Sequence, residues 1–344
     1  MKRMAAYILL LVLLDQLLGF ALGRMYFMTM SGENGGLINY ALTKRPVVLI
    51  MGASGAKHHY DPSVLEATLE KEAFNAGING QGMLYQLMLF DLLRSRDLPE
   101  VIVLDVTMEF LADNERDLPY TRVFAYYMAE SQFIKETIFS ISPFERIKYL
   151  SSTYRANGKV LSIIQNVIRE PDLEFKGFIG LDGRMRNTRF PEEAEPTIAH
   201  FTRGGMTRLK TFANWCEKEG ILLFLVNGPS FRNRYEAYSM WREEVSAVCR
   251  PHRNTHFIEI NQYTHPETFT NREYFRDITH LNRKGAEVFS GLLAGMVSDL
   301  LGSRKQVTSC LGFDHCFPRN CHFPGRDQAE ALPPCWNLTR RHPS

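Results

Sequence analysis

Cysteine is scarce in this chain. There are six in 344 residues, too few for disulfides to frame the fold. Neither sign of charge dominates: 40 Lys and Arg against 38 Asp and Glu leave +2, without the basic excess of a nucleic-acid-binding chain. No internal repeat is visible. No Gly-x-Gly-x-x-Gly follows the first candidate strand, and Gly52 to Lys57 lacks the spacing and the Ser/Thr of a phosphate-binding P-loop. With 45% hydrophobic and 23% charged residues, wholesale disorder and a collagen-like chain are also excluded.

Long apolar runs are rare, with one exception. Met4 to Leu22 is almost wholly apolar, about 19 residues, long enough to cross a bilayer as a helix. Lys2 and Arg3 precede it, which favours a cytoplasmic N-terminus, although Arg24 on the far flank weakens the bias. Ala21-Leu22-Gly23 is a poor cleavage site, so an uncleaved signal anchor over 1–24 is favoured over a cleaved leader. The rest of the chain would then be extracytoplasmic, periplasmic or at the cell surface. Asp15 and Gln16 interrupt the run. Two readings stay open: a contact with another membrane protein, or a tolerated polar pair near the end of a tilted helix.

Beyond the anchor, Ser31 to Asn39 reads as a glycine-containing linker, and 25–45 as the connection to the body. Short apolar runs follow at Val47–Met51, Ala73–Ala76, Val101–Val106, Ile221–Val226 and Thr255–Ile260. Runs of that length fit strands buried on both faces of a parallel sheet. Helical patterns separate them at Val64–Glu72, Leu84–Arg94, Met206–Glu219, Tyr235–Cys249 and Arg283–Leu301. The alternation predicts an α/β fold: a three-layer α/β/α sandwich around a mainly parallel five-stranded sheet, over 46–302. More than one hundred residues separate Val106 from Ile221, so a helical insertion is expected over about 107–205, with helices near Val123–Ser140 and Pro143–Tyr154. From Ser303 the chain is rich in Pro, Arg, Cys and His, and 303–344 is expected to hold little regular structure.

Three segments carry chemistry. Met51-Gly-Ala-Ser54-Gly follows a candidate strand, so a strand–turn–helix would expose the Ser54 hydroxyl at the sheet's carboxyl edge. Asn75-Ala-Gly-Ile-Asn79-Gly80-Gln-Gly82 also follows a strand, and its glycines let backbone N–H groups approach a ligand. Asp277-Ile-Thr-His280-Leu-Asn282 is expected to open the last helix. A carboxylate three residues before a histidine can hold its Nδ1–H and leave Nε2 free as a base. Each segment alone has a plainer reading: a small-residue turn, a glycine-rich loop, and an Asp cap beside a solvent-facing histidine.

Taken in order, the set resembles the SGNH (GDSL-like) hydrolase superfamily, whose sandwich is flavodoxin-like. The resemblance spans 46–302, interrupted by the insertion. It implies Ser54 as nucleophile, His280 as general base, Asp277 as its orienting acid, and the N–H groups of Ser54 and Gly80 as oxyanion donors. The family's third block places an Asn donor after the third strand, where this chain has Thr107-Met-Glu109-Phe. An ionised Glu109 cannot donate to an oxyanion, and one lost donor can cost about a hundredfold in rate. Asn79 and Asn227 are the alternative donors. The anchor and the motif sequence are similar to the membrane-anchored branch that includes the alginate acetylation and lipoteichoic acid D-alanylation proteins. That likeness implies a serine esterase or O-acyltransferase acting on acyl, chiefly acetyl, esters of a cell-envelope polysaccharide, beside a membrane-bound O-acyltransferase. The competing class is a non-catalytic module that binds the polymer or that acyltransferase. Neither reading calls for a cofactor, a metal or nucleic acid.

Other residues take bland readings. Adjacent His58 and His59 point apart on a helix and make a poor metal pair. Cys310, Cys316, Cys321 and Cys335 lack a Cys-x-x-Cys spacing. Cys216 and Cys249 fit buried helix faces, and Phe124, Tyr126, Tyr127 and Phe133 fit a core rather than a sugar platform.

Overall fold

The computed structural model describes residues 1–108, 110–112, 117–168, 176–186, 202–231 and 238–311. Of Asp117 and 303–311 only the backbone is described. Glu109, the start of the Tyr235–Cys249 pattern and the tail from 312, with Cys316, Cys321 and Cys335, lie outside them.

The chain opens with α1 (Lys2–Met28) and α2 (Gly36–Lys44), then β1 (Val48–Met51), α3 (Ser54–His59), α4 (Pro62–Leu69), β2 (Ala73–Asn75), α5 (Met83–Arg94) and β3 (Val101–Asp105). The insertion carries α6 (Asp117–Tyr120), α7 (Gln132–Ser140), α8 (Glu145–Lys148) and α9 (Val160–Ile168), with 3-10 turns at Thr121–Tyr127 and Thr153–Ala156. Then come α10 (Arg203–Lys218), β4 (Leu222–Asn227), α11 (Tyr238–Cys249), β5 (Thr255–Glu259), α12 (Pro266–Phe269) and α13 (Arg283–Leu311).

The five strands form one all-parallel sheet in the order β2-β1-β3-β4-β5, with Leu49 opposite both Phe74 and Ile102, and Ile102 opposite Leu223. Every strand residue of β1, β3 and β4 is buried, which is why these runs are continuous rather than alternating in polarity. Their side chains still alternate between two clusters. Leu49, Ile102 and Leu223 pack with α5, α10 and α2. Val48, Val101 and Phe224 pack with Tyr60, Leu65 and the α13 residues Phe289 and Leu293. Because β1 pairs with both β2 and β3, the strand order reverses at β1, and the crevice beyond the carboxyl ends at such a reversal is where open α/β sheets bind ligands.

Local chemistry sets the helix ends. Asp61 caps α4 by accepting from Ser63 N–H, with Pro62 at the first helical position, so this helix starts two residues before the pattern predicts. Thr202 caps α10 through Gly205 N–H. The expected helix over Val123–Ser140 is divided, because the Ser131 hydroxyl accepts from Ile134 N–H and begins α7 afresh. Pro143–Tyr154 divides into α8 and a 3-10 turn, because the Ser152 and Thr153 N–H groups donate to the Asp15 carboxylate of α1 instead of to a preceding turn.

Three further expectations are corrected. The segment taken as a linker contains α2, whose Leu37, Ile38, Tyr40 and Leu42 are buried. Its glycines serve packing: a Cβ at Gly35, where φ is +112°, would strike the Tyr26 ring. Asp277 to His280 does not open the last helix. Asp277 folds a tight turn on its own carboxylate, and the Asn282 side chain accepts from Gly285 N–H in the first turn of α13. The helix then continues to Leu311, past the expected start of an irregular tail.

Among the described residues two helices are long and apolar enough to cross a membrane, by length and composition: α1 and the 283–302 portion of α13. The second buries Ala286, Phe289, Leu293 and Val297 in the core, whereas Met4 to Leu14 of α1 are exposed.

Candidate active site

The turn after β1 is shaped by what surrounds it. Gly52 adopts φ +144°, and a Cβ there would come within 2.9 Å of both Ala56 and Asp105. At Gly55 a Cβ would collide with the Asp105 carboxylate, which itself accepts from Tyr60 Oη at 2.6 Å. The Gly-Ala-Ser-Gly sequence is therefore what lets α3 start hard against the end of β3, with Ser54 as its first residue.

Asn75, fully buried, locks that helix in place. Its Nδ2 donates to the carbonyls of Ala56 (2.7 Å) and Tyr60 (2.8 Å), and its Oδ1 accepts from Gly77 N–H at 2.9 Å. One side chain thus fixes α3 relative to the loop that carries Gly80. Gly80 has φ +70°, in the left-handed region that favours glycine.

The third element is the turn before α13. Asp277 accepts from the N–H groups of Thr279 (2.8 Å) and His280 (2.9 Å), and both its oxygens lie 3.1 Å from His280 Nδ1. Partial burial pushes the Asp277 carboxyl up, but the Thr279 N–H, the His280 ring and the His280 N–H outweigh it and hold the group at about 2. An ionised Asp277 favours the proton on Nδ1 of His280. Thr279 Oγ1 also lies 3.0 Å from that nitrogen. Among the described residues Nε2 makes no hydrogen bond, and neither does the Ser54 hydroxyl.

His59 ties the turn to α3. Its Nε2 accepts from Leu281 N–H at 3.1 Å, one residue beyond His280. Burial, reinforced by His280 and His58, lowers its pKa to about 3, so it stays neutral and keeps its acceptor. His58 is lowered too, chiefly by burial, and its Nδ1 lies 2.7 Å from the Ile179 carbonyl.

A cavity of about 430 Å³ lies at the carboxyl ends of the strands. Ser54 at the start of α3, Gly80 in the loop after β2, Asn227 at the end of β4 and His280 in the turn before α13 line it together. Asp277 reaches it through His280. Asn79 is exposed and is not part of the wall. Asn227 is, but its Nδ2 donates to Tyr238 Oη at 3.0 Å. Tyr238 in turn donates to Glu259 (2.7 Å), and burial with that carboxylate raises its phenol.

Sequence reasoning missed several wall residues. Asp105 lay unremarked inside the Val101–Val106 run. Gln81 sat inside the glycine-rich motif, and its buried Oε1 has no partner among the described residues. Trp241 carries a buried Nε1–H with no partner among the described residues. Tyr263 is half exposed at the rim, and Ser230 and Gln262 add polar groups. None of these has a spacing signal; only the convergence of strand ends gathers them. Phe124 and Tyr127, by contrast, are buried in the core.

Comparison with known proteins adds no family: no protein-family model matches the chain, and no curated protein does.

Proposed function

We propose that the chain is a membrane-anchored serine esterase or O-acyltransferase of the SGNH type, acting on acyl esters of a cell-envelope polysaccharide. The observation that carries this reading is the convergence of Ser54, Gly80 and the Asp277-held His280 on one cavity at the carboxyl edge of a parallel sheet. Clusters packed against opposite faces of that sheet support the three-layer α/β/α form of the fold.

In the proposed reaction Ser54 Oγ attacks the ester carbonyl carbon, and its proton passes to Nε2 of His280. The charge on the carbonyl oxygen is held by the backbone N–H groups of Ser54 and Gly80. The ester C–O bond breaks, the leaving alkoxide takes the proton from Nε2, and the acyl group stays on Ser54. A water molecule or a sugar hydroxyl then attacks the acyl carbon and gives its proton to Nε2; the acyl C–Oγ bond breaks, and Nε2 returns that proton to Ser54 Oγ. Tyr263, Trp241, Asn227 and Gln262 supply the mixed aromatic and hydrogen-bonding wall that suits a sugar. Lys2 and Arg3 support an extracytoplasmic body, and the acyl supply is assigned to a membrane-bound O-acyltransferase. The test is acyl release from a chromogenic acetyl ester by the full chain. The Ser54→Ala variant should fall to the uncatalysed rate; equal rates would remove the serine from the reaction.

A second reading, a non-catalytic module binding the polymer or the acyltransferase, is favoured by one observation. The Ser54 hydroxyl and His280 Nε2 are not hydrogen-bonded to each other. Polymer binding that survives Ser54→Ala, without ester turnover, would select it.

A further inference from the structure

The inference concerns the insertion, and it rests on reading α1 as the membrane span. Only the first half of α1 stands free of the protein. Residues 1–14 are all exposed, but from Asp15 onward one face, made by Asp15, Gly19, Leu22, Gly23 and Tyr26, is covered. At 1.5 Å per residue, Met4 to Leu14 reaches about 16 Å, roughly half of a hydrocarbon core about 30 Å thick. A crossing therefore needs the stretch from Asp15 to about Leu22, and that stretch is sheathed by the insertion.

The sheath is specific. The Asp15 carboxylate accepts from Ser151 Oγ (2.6 Å), Thr153 Oγ1 (2.6 Å), Ser152 N–H (2.7 Å) and Thr153 N–H (3.3 Å). Gln16 Oε1 accepts from Ser152 Oγ at 2.7 Å. Gly19 leaves room for Ser152 to pack directly on the helix. The polar pair in the apolar run is thus satisfied within the chain, which is what a low-dielectric surrounding demands. Arg24, exposed, lies nine residues beyond Asp15, so the 151–153 loop sits about 13 Å along the helix from that charge.

The surface around that loop is apolar where an aqueous surface would be polar. Phe144, Ile147 and Leu150 are 64%, 65% and 77% exposed, and on α9 Leu161 is 76% exposed. The neighbouring α7 instead turns Gln132, Lys135 and Glu136 outward. Two charges stand among the apolar residues: Arg146 folds its guanidinium back over the Phe139 ring, 5.2 Å from its centroid, and Lys148, partly exposed, is ion-paired to the buried Glu145 at 2.9 Å. Both α9 and the Thr153–Ala156 turn pack directly against α1.

We propose that the loop 144–153 and α9 are embedded among the lipid acyl chains of the leaflet nearer the globular body. The insertion then sets the height of the cavity above the bilayer. It begins at the wall residues Thr107, Met108 and Phe110, and Glu33, a few residues beyond α1, is ion-paired to Lys57, three residues after Ser54. The reacting groups are held next to the lipid surface, where an acyl donor or acceptor carried by a membrane component would present itself.

The test uses full-length protein with Cys310, Cys316, Cys321 and Cys335 changed to serine, the buried Cys216 and Cys249 retained, and one added cysteine per variant at Leu150→Cys, Leu161→Cys, Leu10→Cys or Glu244→Cys carrying an environment-sensitive fluorophore. The proteins are reconstituted alone into phosphatidylcholine vesicles. Quenching is measured with aqueous iodide and with lipids bearing a nitroxide high or low on the acyl chain. Positions 150 and 161 should be quenched severalfold more by the nitroxide lipids than by iodide, position 10 likewise, and position 244 by iodide alone. If 150 and 161 behave like 244 while 10 stays lipid-quenched, the anchor stands and the embedded insertion is refuted. If 10 is also reached by iodide, the membrane span itself fails and the inference with it. Shielding of 150 and 161 from both quenchers would place protein rather than lipid on that surface and would also overturn it.

Discussion

Replacing Asn75 by alanine tests whether the site is held together as described. The substitution removes two donors and one acceptor from a residue with no solvent exposure. The Ala56 and Tyr60 carbonyls and the Gly77 N–H would then be buried without partners. An unsatisfied buried group costs about 1–3 kcal/mol, so three give roughly 3 kcal/mol even if water reaches one of them. For a folded body of roughly 250 residues each kcal/mol moves the midpoint by about 2 °C, so the melting temperature should fall by on the order of 6 °C. The control is Glu244→Ala on α11, where an exposed side chain is worth within about 0.5 kcal/mol. Thermal unfolding in detergent, followed by circular dichroism, reads both. If Asn75→Ala melts within about 3 °C of the parent, α3 is not held by this side chain and the account of how Ser54 is positioned is wrong.

Two further outcomes follow from the same surroundings. Because the native pKa of His59 is about 3, against 6.5 for a free imidazole, its contribution to stability is complete above about pH 6.5. That contribution is lost progressively as the pH falls toward 3, at about 1.4 kcal/mol per pH unit. His59→Gln should flatten the dependence of the urea midpoint between pH 7 and 5; an unchanged slope would show that this histidine is not the neutral acceptor of Leu281 N–H. Gly55→Ala forces a methyl group against the Asp105 carboxylate, so it should destabilise the fold and abolish any esterase activity. A fully stable variant would mean that β3 and α3 do not pack as closely as described.

Much of the fold was legible because buried parallel strands announce themselves as apolar runs. All five were placed within a residue or so, and the turns carrying Ser54 and Gly80 fell where a β-α edge requires. What misled was punctuation with a second use. Gly32, Gly35 and Gly36 looked like a flexible connection, but a Cβ at each would strike Asn166, Tyr26 and Ser31 respectively. Asp277 looked like a helix cap, yet its oxygens are spent on its own turn and on His280. Asp15 looked unpartnered because its partners lie about 136 residues away in sequence, in an insertion whose placement no local pattern encodes. His59, Asp105 and Gln81 were missed for the same reason: each acts through contacts made only when separate strand ends meet.

The central claim is that the Ser54 hydroxyl is made nucleophilic by an imidazole held across the cavity. Exposure of the full chain to a fluorophosphonate, with mass spectrometry of the adduct, addresses it without knowledge of the natural ester. The account predicts one phosphonylated residue, Ser54, with modification abolished by Ser54→Ala and strongly slowed by His280→Ala. No adduct on Ser54, or an adduct formed as fast without His280, would contradict it.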